Sequence, residues 1–124
     1  MKIAVTSMGT DLDSIVDQRF GRAAYILIVD SDTFEFEVVD NTENVTVEKN
    51  AGINAAQRIS KTGAKVLLTG CCGPKAFNEL KKANIKVVQR VNINIVRKAV
   101  SLLIEGKLLF AERPNAESHW QEQE

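Results

Sequence analysis

Hydrophobic and polar positions follow two periods along this chain, one typical of strands and one typical of helices. Short runs of apolar, often β-branched residues bounded by glycine, proline or polar residues predict strands. Five such runs occur, at residues 2–6, 25–29, 34–38, 65–69 and 85–88. Apolar residues spaced three and four apart predict helices. Three of these begin near Asn50, at Pro74 and near Asn94, and they end near Gly63, Asn84 and Gly106.

The order of these elements predicts an α/β fold with a mixed sheet. Residues 25–29 and 34–38 are separated by turn-forming residues and should form an antiparallel hairpin. The later strands are connected through helices, and such crossovers make neighbouring strands parallel. The hairpin strand must therefore run against them, in a sheet with helices on its faces. We expect one domain over residues 1–113, with a short edge at 108–110, and a disordered polar tail over residues 114–124.

Composition limits the class of protein. The chain has 124 residues, of which 44% are hydrophobic and 26% charged, as in an ordinary globular domain. The longest apolar run is far shorter than the ~20 residues of a membrane helix, and the first residues do not resemble a signal peptide. Two adjacent cysteines cannot form the disulfide framework of a secreted domain. We therefore expect a cytoplasmic protein that does not associate with a membrane.

Charge is balanced overall but unevenly distributed. Residues 1–44 carry three cations and nine acids, residues 45–113 carry thirteen cations and four acids, and residues 114–124 carry three acids. A basic stretch of this kind is most simply a solvated lysine surface, although it could face an anion. The lysines are not interleaved with aromatic residues, so the pattern does not indicate a nucleic-acid partner.

Two loops should leave the carboxyl ends of parallel strands, where ligands collect in open α/β sheets. One runs from Ser7 to Arg22, and the other covers residues 70–74. The second has two glycines that let the backbone approach a ligand, a helix start whose amides favour an anion, and two thiols. Adjacent residues leaving a strand point opposite ways, so one of Cys71 and Cys72 should lie in the core and the other at the surface. Taken by itself, the cysteine pair favours a plainer interpretation, in which cysteines and glycines serve packing alone.

The Arg19–Arg22 segment of the first loop has two interpretations of equal weight. Two guanidiniums around a glycine could clamp an anion, or the segment could be a surface loop in which Asp13 and Asp17 pair with the arginines. Catalysis has little support. Ser7 lacks a partner base, because the single histidine, His119, lies in the predicted tail. Nothing supplies a hydrolytic triad or a phosphate loop.

Longer motifs occur at residues 1–9, 12–23, 28–30, 51–57 and 69–77; they include RFGRA from position 19 and GCCGPKAF from position 70. In the same order, they resemble the dinitrogenase iron–molybdenum cofactor biosynthesis family, the NifX- and NafY-like proteins, over residues 1 to about 107. The resemblance implies a three-layer α/β/α, ribonuclease H-like fold with a mixed five-stranded sheet. It also implies a non-enzymatic role, the binding or carrying of a metal–sulfur cluster during cofactor assembly, with cofactor-assembly or acceptor proteins as partners.

Carried over by position, the resemblance places a ligand cleft at the two loops already selected. The cofactor-binding residues would be Ser7, Gly9, Arg19, Phe20, Gly21, Arg22, Gly70 and Gly73, and the metal ligands would be Cys72 and Cys71. Many relatives have histidine where this chain has Arg19, so histidine ligation there is excluded. Position 71 is not usually cysteine, so the doubled thiol could mark a subgroup. One similar branch, the orange proteins, holds a mixed molybdenum–copper sulfide cluster, and this chain could belong to it; the cargo would then be Mo/Cu rather than Mo/Fe sulfide.

Two other functions stay open on the sequence. The first is a protein-interaction module with the same fold, inert cysteines and no bound metal. The second is a metal-dependent nuclease, which needs several carboxylates at strand ends. Thr6, Ser7, Thr69 and Gly70 stand at those ends instead, so the nuclease is the least favoured of the three. The metal, the donor and acceptor proteins and the oligomeric state are left open.

Overall fold

The structure is a computed structural model and describes residues 1–91 and 95–115. Five strands and three helices lie in these residues. Their bounds are β1 Lys2–Ser7, β2 Tyr25–Asp30, β3 Phe36–Asp40, α1 Ala51–Ser60, β4 Val66–Leu68, α2 Pro74–Lys82, β5 Lys86–Val88 and α3 Val96–Ile104. A short 3-10 helix, Thr42–Val45, lies between β3 and α1. None of the helices in the described ranges has the length and hydropathy that a membrane span requires.

The strands form one mixed sheet in the order β3-β2-β1-β4-β5. β1, β4 and β5 are mutually parallel, whereas β2 runs antiparallel to both β1 and β3. The predicted hairpin is confirmed, with Leu27 opposite Val38. Because β1, β4 and β5 point the same way, their carboxyl ends share one edge of the sheet, which we term the carboxyl edge.

Helices cover both faces of the sheet. On one face, Ala4, Ile26 and Leu67 belong to a buried cluster that also contains the inner residues of α1 and α2. On the other face, Val5, Leu27 and Leu68 belong to a second cluster that contains the inner residues of α3. The three-layer α/β/α arrangement with a mixed five-stranded sheet is therefore confirmed, and it is compatible with a ribonuclease H-like fold.

Some boundaries differ from the predicted ones for local reasons. β3 begins at Phe36 rather than at residue 34, because Phe34 adopts a left-handed φ of 62° and belongs to the turn. Residues 108–110 form no strand; after them, the Ala111 amide donates a single hydrogen bond to the Val87 carbonyl at the β5 edge. The predicted start of the third helix near Asn94 lies outside the described residues.

The loop after β1, residues 8–24, lacks regular structure but is tied to the fold on three sides. We term it the β1 loop. The Asp17 amide donates to the Thr6 carbonyl at 2.9 Å, and the Val96 amide donates to the Ser14 carbonyl at 3.0 Å. The Phe20 amide donates to the Cys71 carbonyl at 3.1 Å. These backbone hydrogen bonds satisfy polar groups that an irregular buried segment would otherwise leave unpaired, so the loop is held in one place.

The β1 loop also packs into the core through Phe20 and Gly21. The Phe20 side chain is fully buried in the cluster under α1 and α2. Next to it, a Cβ on Gly21 would lie 2.6 Å from the Gly52 nitrogen and 2.9 Å from the Ala51 carbonyl carbon. Only glycine lets the loop approach the start of α1 so closely.

Replacing Gly21 by alanine should lower the free energy of unfolding by about 1–3 kcal/mol, because the new methyl group would press on the α1 backbone, which cannot rotate away. Gly9→Ala is the matched control. Its methyl group would meet only the Ser14 side chain, so the loss should stay below about 1 kcal/mol. Urea denaturation of the three proteins measures both values, and equal losses would contradict the close packing assigned to Gly21.

The β1 loop buries one carboxyl group. The side chain of Asp17 is only 10% exposed, and its Oδ1 accepts a hydrogen bond from the Arg19 amide at 3.0 Å. Burial raises the pKa of Asp17 from its ordinary value, and the Arg19 amide and charge only partly oppose that rise. The folded protein therefore holds the Asp17 proton to a higher pH than the unfolded chain does. This linkage lowers stability as pH rises from 3.8 through the folded-state pKa.

Asp17→Asn should remove this pH-dependent loss while keeping an oxygen to accept the Arg19 amide. We expect the variant to be as stable as the parent protein or more stable at pH 7, with the difference between the two shrinking toward pH 4. Denaturant unfolding across this range provides the measurement, with Asp32→Asn, at an exposed turn position, as the control. A variant that is markedly less stable than the parent at pH 7 would show that the charge of Asp17 stabilises the loop.

Candidate functional site

The two loops selected from the sequence are joined by backbone hydrogen bonds at the carboxyl edge. Arg19 and Cys71 form an isolated parallel β-bridge, in which the Cys71 amide donates to the Gln18 carbonyl at 2.6 Å and the Cys71 carbonyl accepts from Phe20. A Cβ on Gly70 would lie 2.7 Å from the Gln18 Cα, so glycine is required there. The loop after β4, residues 69–73, which we term the β4 loop, therefore forms one surface with the β1 loop.

The two cysteines occupy different environments, as the alternation of side chains predicts. Cys71 is partly exposed, whereas Cys72 is fully buried in the cluster under α1 and α2. The Cys72 Sγ lies 3.7 Å from the Gly73 carbonyl. Cys71 is therefore the cysteine of this loop that is accessible from the surface, and the prediction that Cys72 and Cys71 bind a metal stays a prediction.

The two arginines of the predicted anion clamp are directed to different partners. The Arg19 side chain is 58% exposed, with its Nε 3.9 Å from the Asp17 carboxylate. The Arg22 guanidinium instead donates to the carbonyls of Asn44 at 3.3 Å and Val45 at 3.1 Å. Arg22 thus ties the β1 loop to the 3-10 helix, and Arg19 is the arginine of this segment whose charge faces solvent.

Other predicted site residues shape the loops. Ser7 is buried, and its hydroxyl donates to the Gly9 carbonyl at 2.8 Å and accepts from the Gly9 amide at 3.2 Å, which fixes the first turn of the loop. Phe20 lies in the core, Gly21 packs on α1, and Gly73 is the N-cap residue that precedes Pro74 at the start of α2. These residues hold the surface in shape rather than presenting polar side chains to a ligand.

Two of the backbone amides that were predicted to favour an anion already donate hydrogen bonds within the protein. The Cys71 amide bonds to Gln18, and the Cys72 amide donates to the Asn115 Oδ1 at 2.9 Å. The Asn115 Nδ2 in turn donates to the Gly70 carbonyl at 2.9 Å, and its backbone amide donates to the Gln89 side chain at 3.0 Å. Asn115 falls within the predicted polar tail, yet its side chain closes the β4 loop. Residues 116–124 of that tail lie outside the described residues.

Arg90 also lies at this edge, although it was not predicted from the sequence. It follows β5, is exposed and adopts a left-handed φ of 57°, while its amide donates to the Gly70 carbonyl at 2.8 Å. Ligands collect at the carboxyl ends of parallel strands, and this rule applies to β5 as well as to β1 and β4. Position 90 could therefore have been predicted as a site residue from the sequence. Arg19 and Arg90 therefore reach the β4 loop from either side, at Cys71 and at Gly70.

The chemistry of this edge is that of a cationic surface with one partly exposed cysteine. Among residues 1–91 and 95–115, no group of three or more His, Cys, Asp or Glu side chains is placed to hold a metal ion. At the strand ends, the Thr6 hydroxyl donates to the Asp17 carbonyl at 2.6 Å and lies 3.0 Å from the Thr69 hydroxyl. Threonines thus occupy the positions where two-metal hydrolysis would need carboxylates.

Comparison with known proteins places the chain in a family. A family model described as dinitrogenase iron-molybdenum cofactor matches residues 1–106. No curated protein matches the chain. Among solved structures, the apo form of the orange protein from Desulfovibrio gigas is 50% identical, with a TM-score of 0.90 and coverage of 93% of this chain and 96% of that one. A protein of the DUF35 family from Thermotoga, described as a candidate NifB protein, is 33% identical, with a TM-score of 0.75 and coverage of 88% and 91%. The chain belongs to the dinitrogenase iron-molybdenum cofactor family.

Proposed function

We propose that this protein binds and carries a metal–sulfur cluster during cofactor assembly and is not an enzyme. Membership of the dinitrogenase iron-molybdenum cofactor family and the similarity to the apo orange protein support a cofactor-binding role. The observation that carries the proposal is the backbone bridge between Arg19 and Cys71, which brings an exposed arginine and a partly exposed cysteine to the same place on the carboxyl edge. The cargo is a sulfide cluster of molybdenum with iron or copper.

This surface suits an anionic sulfide cluster on physical grounds. Guanidinium groups donate charge-assisted hydrogen bonds and are weakly hydrated, so Arg19 and Arg90 can hold negative charge without covalent bonds. A thiolate at Cys71 is a soft ligand of the kind preferred by Cu(I) and by iron–sulfur clusters. Few protein ligands and mainly electrostatic contacts also allow release, which a carrier must perform.

The first test is anaerobic isolation from the native host, followed by a visible spectrum and analysis for Mo, Fe, Cu and acid-labile sulfide. Metal and sulfide at a fixed ratio to protein would establish cluster binding and name the cluster class. A metal-free protein that also stays empty after reconstitution with tetrathiomolybdate and Cu(I), or with iron and sulfide, would overturn the proposal. An interaction module with the same fold would then be the better interpretation.

The adjacent cysteines provide a matched pair of variants. Cys71→Ser should raise the rate of cluster loss by about tenfold, because it replaces the accessible thiol by a hydroxyl, a far weaker ligand for soft metals. Cys72→Ala should keep the cluster and lower the free energy of unfolding by about 1 kcal/mol, since it removes one buried sulfur. Both are measured on protein reconstituted with tetrathiomolybdate and Cu(I). Loss of the cluster from the folded Cys72 variant alone would show that the buried thiol is the ligand.

The two arginines provide a second matched pair. Arg19→Gln should weaken retention of the same cluster by about tenfold at low salt, with a smaller effect as salt rises toward about 0.5 M, because the lost contact is electrostatic. Arg22→Gln should leave retention unchanged and lower the free energy of unfolding by about 1–2 kcal/mol, since the Asn44 and Val45 carbonyls lose their charged donor. Equal weakening in both variants would contradict the separate roles assigned to them.

A further inference from the structure

The segment after α3 wraps around the β5 edge of the sheet. We term residues 107–115 the C-terminal strap. Leu108 packs against the core cluster on the α3 side, and Ala111 packs against the cluster on the α1 and α2 side. The Ala111 amide donates to the Val87 carbonyl at 2.6 Å. The strap therefore crosses from one face of the sheet to the other before Asn115 reaches the β4 loop.

Two grooves flank the strap and share its residues 110–112. The first has a volume of about 350 Å³ and an apolar floor formed by Phe77, Ile85 and Val87. The second has a volume of about 450 Å³ and extends from residues 89–90 to Asn115. Phe110, which is 45% exposed, stands between them. Grooves of these sizes accept at least one large side chain of another molecule.

Cations converge on both grooves. Four cationic side chains and one carboxylate line them, namely Lys81, Lys86, Arg90 and Arg113, with Glu112. The Lys86 Nζ lies 5.0 Å from the centre of the Phe110 ring, so a cation stands at the mouth of the apolar groove. A lysine that only keeps the surface solvated would not need to lie beside an aromatic ring at the mouth of a groove. The apolar floor of the first groove, with its positively charged rim, favours a ligand that is itself both apolar and acidic.

We propose that the strap surface docks an acidic segment of a partner protein, which inserts one large apolar side chain into the 350 Å³ groove while its carboxylates face Lys81 and Lys86. This inference rests on the proposed carrier function, because a carrier must meet a donor or an acceptor. The strap ends at Asn115, which bonds to Gly70 and Cys72. A partner on the strap would thus lie beside the loop proposed to hold the cargo.

A second copy of this chain fits the surface less well. The acidic side chains of Asp30, Asp32, Glu35 and Glu37 surround the β2–β3 turn, whereas the strap surface lies at the opposite, β5 edge of the sheet. Contact between these two different surfaces would be head-to-tail, and such contacts either close into rings or continue into filaments. A separate acidic partner would have the same charge complementarity and would not form rings or filaments.

The test selects ligands from a library of random peptides of ~12 residues displayed on phage, with the full-length apo chain as bait. We expect enrichment of acidic peptides that contain at least one large apolar residue. The double variant Lys81→Glu with Lys86→Glu should weaken a selected peptide by at least about tenfold, and raising the salt should also weaken it. Lys61→Glu with Lys98→Glu, the same charge change at exposed positions elsewhere, should leave the affinity unchanged.

Three kinds of result would overturn the proposal. The first is failure of the selection or of its control: acidic peptides are not enriched, or the two double variants bind a selected peptide equally. The second is concentration-dependent self-association that the groove variant abolishes, which would make a second copy the occupant. The third is a rise of threefold or more in peptide affinity on Trp120→Ala, which would show that the chain's own acidic end competes for the groove. No metal or sulfide is used, so failure here is separate from failure of cluster binding.

Discussion

The hydrogen bonds between the β1 loop and the β4 loop are the constraint on which the rest of the carboxyl edge depends. They require Gly70, because any side chain there would collide with Gln18. They also place Arg19 against Cys71 and leave Phe20 to fill the core directly below. The exposed Arg19 side chain is thus followed directly by an apolar residue that anchors the loop in the core. The backbone hydrogen bonds of Gln18, Phe20 and Cys71 fix the position of one loop relative to the other.

The elements could be predicted from the sequence because each depends on local spacing of apolar residues and on turn chemistry. The site could be placed at the strand ends for a similar reason, since β1 and β4 share a direction. The buried face of the edge strand β3 was harder to assign. Phe36 and Val38 stay about two-fifths exposed, whereas Val39 packs on the core. The reason is that β3 lies at the edge of the sheet, while the helix on that face, α3, packs against β1.

The roles of single residues could not be predicted from the sequence where they depend on partners far along the chain. Arg22 bonds to carbonyls more than twenty positions away, and Asn115 bonds to Gly70 and Cys72 across more than forty. Spacing within a motif carries no information about such contacts. Burial separates Cys71 from Cys72 in the same way, since alternation predicts that one thiol is exposed and only the packing of α2 against the sheet decides which.

The arrangement of the proposed site indicates how the proposed carrier would combine retention with release. A closed metal site with three or four protein ligands would hold its ion too tightly to hand it on without competing ligands. In the proposed site, one partly exposed cysteine lies in a loop to which the backbones of two exposed arginines, Arg19 and Arg90, are joined, and the neighbouring Cys72 amide is bonded to Asn115. Because Asn115 lies at the end of the strap, a molecule that displaced the strap would break the Asn115 hydrogen bonds to the Gly70 carbonyl and the Cys72 amide together, while the Gly70 carbonyl would keep the bond from the Arg90 amide. Displacement of the strap and a change in the loop that we propose holds the cargo would then be two consequences of one set of hydrogen bonds.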